Sequence, residues 1–246
     1  MRTWENYAAE LLGTFVLVFM GATAIVASGT PGFEAPTLIV AAFAFGIALL
    51  AGLYAFAEVS GGHFNPAVSL AMFLDRRLSG NDLVGYWAAQ FAGGILAALV
   101  LLIATSQDNV ASTATVPGPD GSGTAFLIEL VMTTIFVAVI LQASESGRFG
   151  GSALLAIPLA LVAVHLAAIP FSGSSVNPAR TFGPDLVGNE WSGIWIYFIA
   201  PPLGAVLAWA VHRMVVKGRA EPAEAPVAEI LREPDAQAHQ PPPPRD

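Results

Sequence analysis

The sequence predicts an all-α membrane protein with six transmembrane helices and two re-entrant half-helices in an inverted 3+3 repeat. Three observations lead there. The chain is too apolar for a soluble fold. It contains six apolar segments, each about long enough to cross a bilayer. Its second half repeats the marks of its first half in the same order.

Of the 246 residues, 55% are hydrophobic and only 11% are charged, whereas soluble domains carry about 25% charged residues. Mean hydropathy is +0.65. A soluble chain of this composition could not cover its core with polar surface, so a lipid bilayer is the expected surrounding. The net charge of -8 does not point to nucleic acid, and Glu221, Glu224, Glu229, Glu233 and Asp235 concentrate much of it near the C-terminus. The absence of cysteine excludes disulfides, thiolate metal sites and cysteine nucleophiles. No nucleophile–base set or phosphate loop stands out, so neither an enzyme nor a cofactor or metal is expected.

The apolar segments fall at 8–28, 36–59, 83–105, 124–143, 151–170 and 193–216. Each approaches or exceeds the roughly 20 residues a spanning helix needs. Transmembrane strands would alternate every second residue, and these segments are apolar on nearly all faces. The first is long enough to span, whereas a secretory h-region would be shorter and would end in a small-residue cleavage site, so it is read as helix 1. Residues 1–7 then form a short N-terminal segment, 8–216 the membrane domain and 217–246 a tail. The tail is acidic, Pro-rich and without apolar periodicity, which predicts disorder.

Basic residues set the expected orientation. Arg2, Arg76, Arg77, Arg148, Arg213, Lys217, Arg219, Arg232 and Arg245 fall on one side, and Arg180 alone falls in an opposite loop. The positive-inside rule makes the crowded side cytoplasmic, with both termini there.

The repeat has three marks. Ala9-Glu10-Leu11 opens the first half and Ile128-Glu129-Leu130 the second. His63-Phe64-Asn65-Pro66-Ala67-Val68 is answered by Ser175-Val176-Asn177-Pro178-Ala179-Arg180. The segment from Tyr86 to Gly94 aligns without gaps on Tyr197 to Ala205. Three spans per half is an odd number, so the halves enter the membrane in opposite directions, an architecture of membrane transport proteins.

A single Asn-Pro-Ala is an ordinary helix start, with Asn as N-cap and Pro at the first helical position. Two copies in inverted halves mean more. Each follows a Gly/Ser-rich turn, Ser60-Gly61-Gly62-His63 or Ser172-Gly173-Ser174-Ser175, and each leads into an apolar stretch, 67–74 or 179–187, too short to span. These stretches are read as re-entrant half-helices whose N-termini meet near the midplane. Each N-terminus carries roughly half a positive charge, so together they oppose cations. The amides of Asn65 and Asn177 can donate hydrogen bonds to a permeating molecule, and carbonyls of the unwound turns can accept them.

With these motifs the chain resembles the major intrinsic protein family, which comprises aquaporins and glycerol facilitators. The resemblance covers roughly residues 5–216. It rests on Glu10 with Gly13-Thr14, the stretch Ser60 to Val68, Tyr86 with Gln90, Glu129, His165, and the stretch Ser175 to Arg180. It implies a membrane channel with water as permeant, assembled as a homotetramer with a pore in every subunit. It also implies a selectivity filter at Phe45, His165, Ser174 and Arg180. Phe, His, a small residue and Arg are typical of water channels, whereas glycerol facilitators typically carry Gly for the His and Trp for the Phe. Tyr197-Phe198 matches the aromatic pair of water channels. Thr181 stands where facilitators carry Asp and water channels a small residue. Asp185 departs from the pattern, since water channels prefer Ala there and facilitators a basic residue. Glu58 occupies a position near the inner mouth where relatives often have His. Glu10, Glu129, Gln90 and His63 are expected to support the re-entrant loops rather than to carry protons. Gly93-Gly94 and Gly204-Ala205 read as close helix packing. Three other readings stay open: a proton-coupled transporter using Glu10 and Glu129, a channel for glycerol or another small neutral solute, and a poorly conducting junction protein.

Overall fold

The computed structural model describes residues 3–29, 35–145 and 152–216. Among these there is no strand. Helices run in the order α1 (Thr3–Ala27), α2 (Ala35–Ser60), α3 (Pro66–Leu74), α4 (Gly80–Ala104), α5 (Gln107–Ala111), α6 (Gly121–Ala143), α7 (Ala153–Ser172), α8 (Pro178–Gly188) and α9 (Ile194–Val211), with a π-helical turn at His212–Val216. Among the described residues six helices are long and apolar enough to cross a membrane: α1, α2, α4, α6, α7 and α9 with its π-helical turn. The expected tail, 217–246, lies outside the described residues.

Helix ends differ from the hydropathy reading. Helix α1 begins at Thr3 rather than residue 8, because its polar first turn continues the helix beyond the apolar stretch. Helix α4 begins at Gly80, where Ser79 caps it by accepting from the Asp82 N–H. Segment 106–123 was expected to be plain loop, yet it contains the single turn α5, capped by Ser106.

The two half-helices start as their sequences dictate. Asn65 is extended (φ -156°) and its side chain accepts from the Ala67 N–H, with Pro66 first in the helix. Asn177 is likewise extended (φ -157°) and accepts from the Ala179 and Arg180 N–H groups. In each case the cap satisfies donors that a helix start leaves free, and Pro has none to satisfy. At the far end of α3, Arg77 donates to Asp75 (2.7 Å), to Ser144 Oγ (2.9 Å) and to the Leu141 carbonyl (3.1 Å), which ties the half-helix to the end of α6.

Packing follows the repeat. Helix α1 packs on α2 and α4, as α6 packs on α7 and α9. The half-helices cross over: α3 lies against α9 and α8 against α4. The α4–α8 approach is backbone on backbone. A Cβ at Gly94 would overlap the Ala179 carbonyl oxygen, and one at Gly183 would overlap the Gly94 carbonyl oxygen. Gly93 sits against Leu11 of α1 and Gly204 against Leu130 of α6, which are matching positions of the two halves. The core between the halves contains Leu17, Phe45, Leu49, Phe64, Val68, Phe136, Leu161, Val164 and Val176. Large apolar side chains such as Ile103, Leu159, Leu127 and Ile47 cover the outer faces of the helices.

Candidate permeation pathway

The turn before each half-helix hangs on a buried carboxylate. Glu10 Oε1 accepts from Ser60 Oγ (2.7 Å) and the His63 N–H (2.9 Å), while Oε2 accepts from the Phe64 N–H and from Gln90 Nε2 (2.7 Å each). Glu129 does the same in the other half. Its Oε1 accepts from Ser172 Oγ and the Ser175 N–H (2.7 Å each), and its Oε2 from the Val176 N–H (2.8 Å). Tyr86 and Tyr197 then donate to the Ser60 and Ser172 carbonyls, both at 2.7 Å. Both glutamates are fully buried. A buried carboxylate is tolerated when several donors replace its water, and here the turns supply all of them but the Gln90 amide on Glu10.

These anchors hold the chain in an uncommon shape. Phe64 and Val176, each just before the capping Asn, have positive φ of 50° and 45°. For β-branched Val176 this backbone costs on the order of 1–3 kcal/mol and persists only where surroundings over-determine it. The twist lets the two loops bond across the pseudo-twofold axis. Asn65 Nδ2 donates to the Val176 carbonyl (2.8 Å) and Asn177 Nδ2 to the Phe64 carbonyl (2.9 Å). Each amide has two N–H donors, and this bond uses one.

Next to this junction is a cavity of about 20 Å³, lined by residues including His63, Asn65, Asn177, Phe45, His165 and Arg180. That is room for about one water. A second cavity of about 90 Å³ shares Phe45 and Arg180 with it and extends along Thr37, Ala114 and Gly173. Around these two shared residues, side chains from four segments converge. Phe45 (α2) and His165 (α7) have ring centroids 5.1 Å apart. Arg180 Cζ (α8) lies 4.8 Å from the Phe45 ring centroid. Ser174 Oγ, in the turn before α8, is 3.4 Å from His165 Nδ1. All four side chains are buried. A Cβ at Gly21 would overlap the Phe45 ring, so α1 leaves the ring its place.

Sequence reasoning missed what holds Arg180. Its Nη1 donates to the Thr113 carbonyl (3.1 Å) and to Thr115 Oγ1 (3.3 Å), both from the segment between α5 and α6. That segment has neither periodicity nor a motif, so no sequence signal marks it. His63, half-buried, has Nδ1 3.1 Å from Ser69 Oγ, and Gln90 also donates to Ser69 Oγ (2.8 Å). Glu58 is exposed, away from these contacts.

Residues 1–212 match the family described as Major intrinsic protein. The chain is 39% identical over 215 residues to Aquaporin Z of Brucella melitensis biotype 1, covering 82% of this chain and 94% of that protein. It is 38% identical over 213 residues to Glycerol uptake facilitator protein-like 6 of Lactiplantibacillus plantarum, covering 83% and 94%. The fold is similar to that of the aquaglyceroporin from Plasmodium falciparum, with a TM-score of 0.78, 23% identity, and 87% of this chain and 97% of the other covered.

Proposed function

The chain belongs to the major intrinsic protein family of channels, and from that premise we propose that it is a passive water channel that excludes glycerol, ions and protons. The observation that carries this reading is the contact of Phe45, His165 and Arg180 around a cavity with room for about one water. Glycerol needs a wider opening and an apolar wall for its carbons. Here an aromatic ring, an imidazole and a guanidinium fill that space.

Ions meet two barriers in this reading. Arg180 places a buried positive charge at the constriction, where little solvent screens it. The N-termini of α3 and α8 add positive helix ends where Asn65 and Asn177 cross. Water passes because it can trade its bonds for those of the Asn amides and loop carbonyls, whereas an ion must shed its hydration shell. Glu10 and Glu129 are spent on loop donors, which speaks against proton-coupled transport. In the cell the protein is proposed to be a homotetramer in the plasma membrane with both termini cytoplasmic.

A glycerol or small-solute facilitator is the second reading. The similarity to a protein named as a glycerol uptake facilitator favours it. Stopped-flow light scattering on proteoliposomes separates the two. Water flux well above empty vesicles with glycerol flux at background is expected; comparable fluxes of both would overturn the water-selective reading.

A further inference from the structure

The two halves hang their turns on matching carboxylates and tyrosines, and they differ beside the half-helices. In the first half, Ser69 on α3 is held by His63 and by Gln90 of α4. In the second half, the matching Thr181 pairs with Ser175 Oγ at 2.6 Å. The match of Gln90 is Pro201, whose side chain has no polar group. Thr115 takes over that role, with its Oγ1 2.6 Å from Thr181 Oγ1. The same Thr115 hydroxyl is one of the two acceptors that hold Arg180. The Thr115 backbone N–H, in turn, donates to Asp185 Oδ1 at 3.2 Å. Asp185 is fully buried on α8, and its Oδ2 has no partner among the described residues. The matching residue on α3 is Phe73, an exposed hydrophobic side chain. The carboxylate therefore belongs to the second half alone, the half that carries the arginine.

We propose that Asp185 is a positioning residue for the constriction: its carboxylate holds Thr115, and Thr115 with Thr113 holds the Arg180 guanidinium against Phe45. This rests on the water-channel reading above. A carboxylate taken out of water is costly unless hydrogen bonds or an opposite charge compensate it, and the Thr115 N–H supplies one such bond. The two residues are five apart on α8, which does not bring their side chains to one helix face. The link therefore runs through segment 113–115. Arginine is rotamer-rich, and without a fixed Thr113–Thr115 acceptor pair Arg180 is free to leave Phe45 and widen the opening.

The test is glycerol and water flux in proteoliposomes of the full chain. Five proteins are compared: wild type, Asp185→Ala, Asp185→Asn, Arg180→Val, and Asp185→Ala combined with Arg180→Val. Asp185→Ala is expected to raise the glycerol-to-water ratio several-fold. Asp185→Asn keeps an oxygen for the Thr115 N–H and is expected to bring the ratio back towards wild type. In the Arg180→Val background, Asp185→Ala is expected to add nothing, since residues acting through one group are non-additive. An unchanged ratio in Asp185→Ala with water flux intact overturns the proposal. So does an equal rise with and without Arg180, or an Asp185→Asn ratio equal to that of Asp185→Ala. If Asp185→Ala yields no conducting protein, Thr115→Val carries the test, since it keeps the N–H to Asp185 but removes an Arg180 acceptor. Its ratio must rise, and an unchanged ratio overturns the proposal. Wild type leaking glycerol as readily as water refutes the channel reading itself, whereas tight wild type with tight variants refutes only the role of Asp185.

Discussion

In the proposed reading, small distances at the constriction decide between solutes. His165 and Phe45 stand 5.1 Å apart, ring to ring, with the guanidinium over Phe45. Changing His165 to Gly removes one wall and its polar edge. The expected outcome is glycerol entry, with a further increase when Phe45→Trp supplies an apolar surface for the glycerol carbons. Glycerol-driven reswelling of proteoliposomes reads it out, and a His165→Gly protein as tight as wild type would place the constriction elsewhere. Arg180→Val acts on charge instead. It removes the buried cation but leaves the ends of α3 and α8 in place, so cation leak should rise and stay small beside water flow. Potential-driven ion flux in the same vesicles measures it; a leak rivalling water flow would mean that the half-helices contribute little barrier.

The elements owe their seats to paired devices. Glu10 and Glu129 pull the two turns inward, the capping asparagines start the half-helices, and glycines let α8 approach α4. The last device is testable by contrast. Gly94→Val places side-chain atoms where the Ala179 carbonyl now lies, and backbone cannot yield as a flexible side chain does. Overpacking typically costs about 1–3 kcal/mol, and here it displaces the helix that carries Arg180. Lower thermal stability in detergent and reduced water flux are expected. Gly123→Ala is the control, because a Cβ there meets nothing within 4 Å. Equal melting of the two variants would contradict the backbone-contact argument.

For the molecule as a whole, the crossed packing of α3 on α9 and α8 on α4 makes the halves interdependent. The cavities of the proposed pathway are lined by residues from both halves of one chain. The sequence beyond Arg219 is acidic, Pro-rich and without apolar periodicity. Truncation there is expected to leave assembly and water flux unchanged, as read by size-exclusion light scattering and vesicle shrinkage. Loss of either would give the tail a structural part.

Six spans, the inverted repeat and both half-helix starts were legible from the chain alone. They rest on local properties: hydropathy over some twenty residues, and Asn-Pro after a Gly/Ser turn. The symmetric place of Glu10 and Glu129 likewise directed attention to the re-entrant turns. Phe45, His165, Ser174 and Arg180 were named only through resemblance, since nothing local links a phenylalanine of α2 to an arginine of α8. The tertiary structure decided that those four meet, that Asn65 and Asn177 each bond the opposite loop, and that an unpatterned segment containing Thr113 and Thr115 grips Arg180. It also turned Asp185 from an oddity of sequence into a buried partner of that segment. The physical reason is that a span or a cap is fixed by neighbours in the chain, whereas a partner across the fold is chosen by how several helices pack at once.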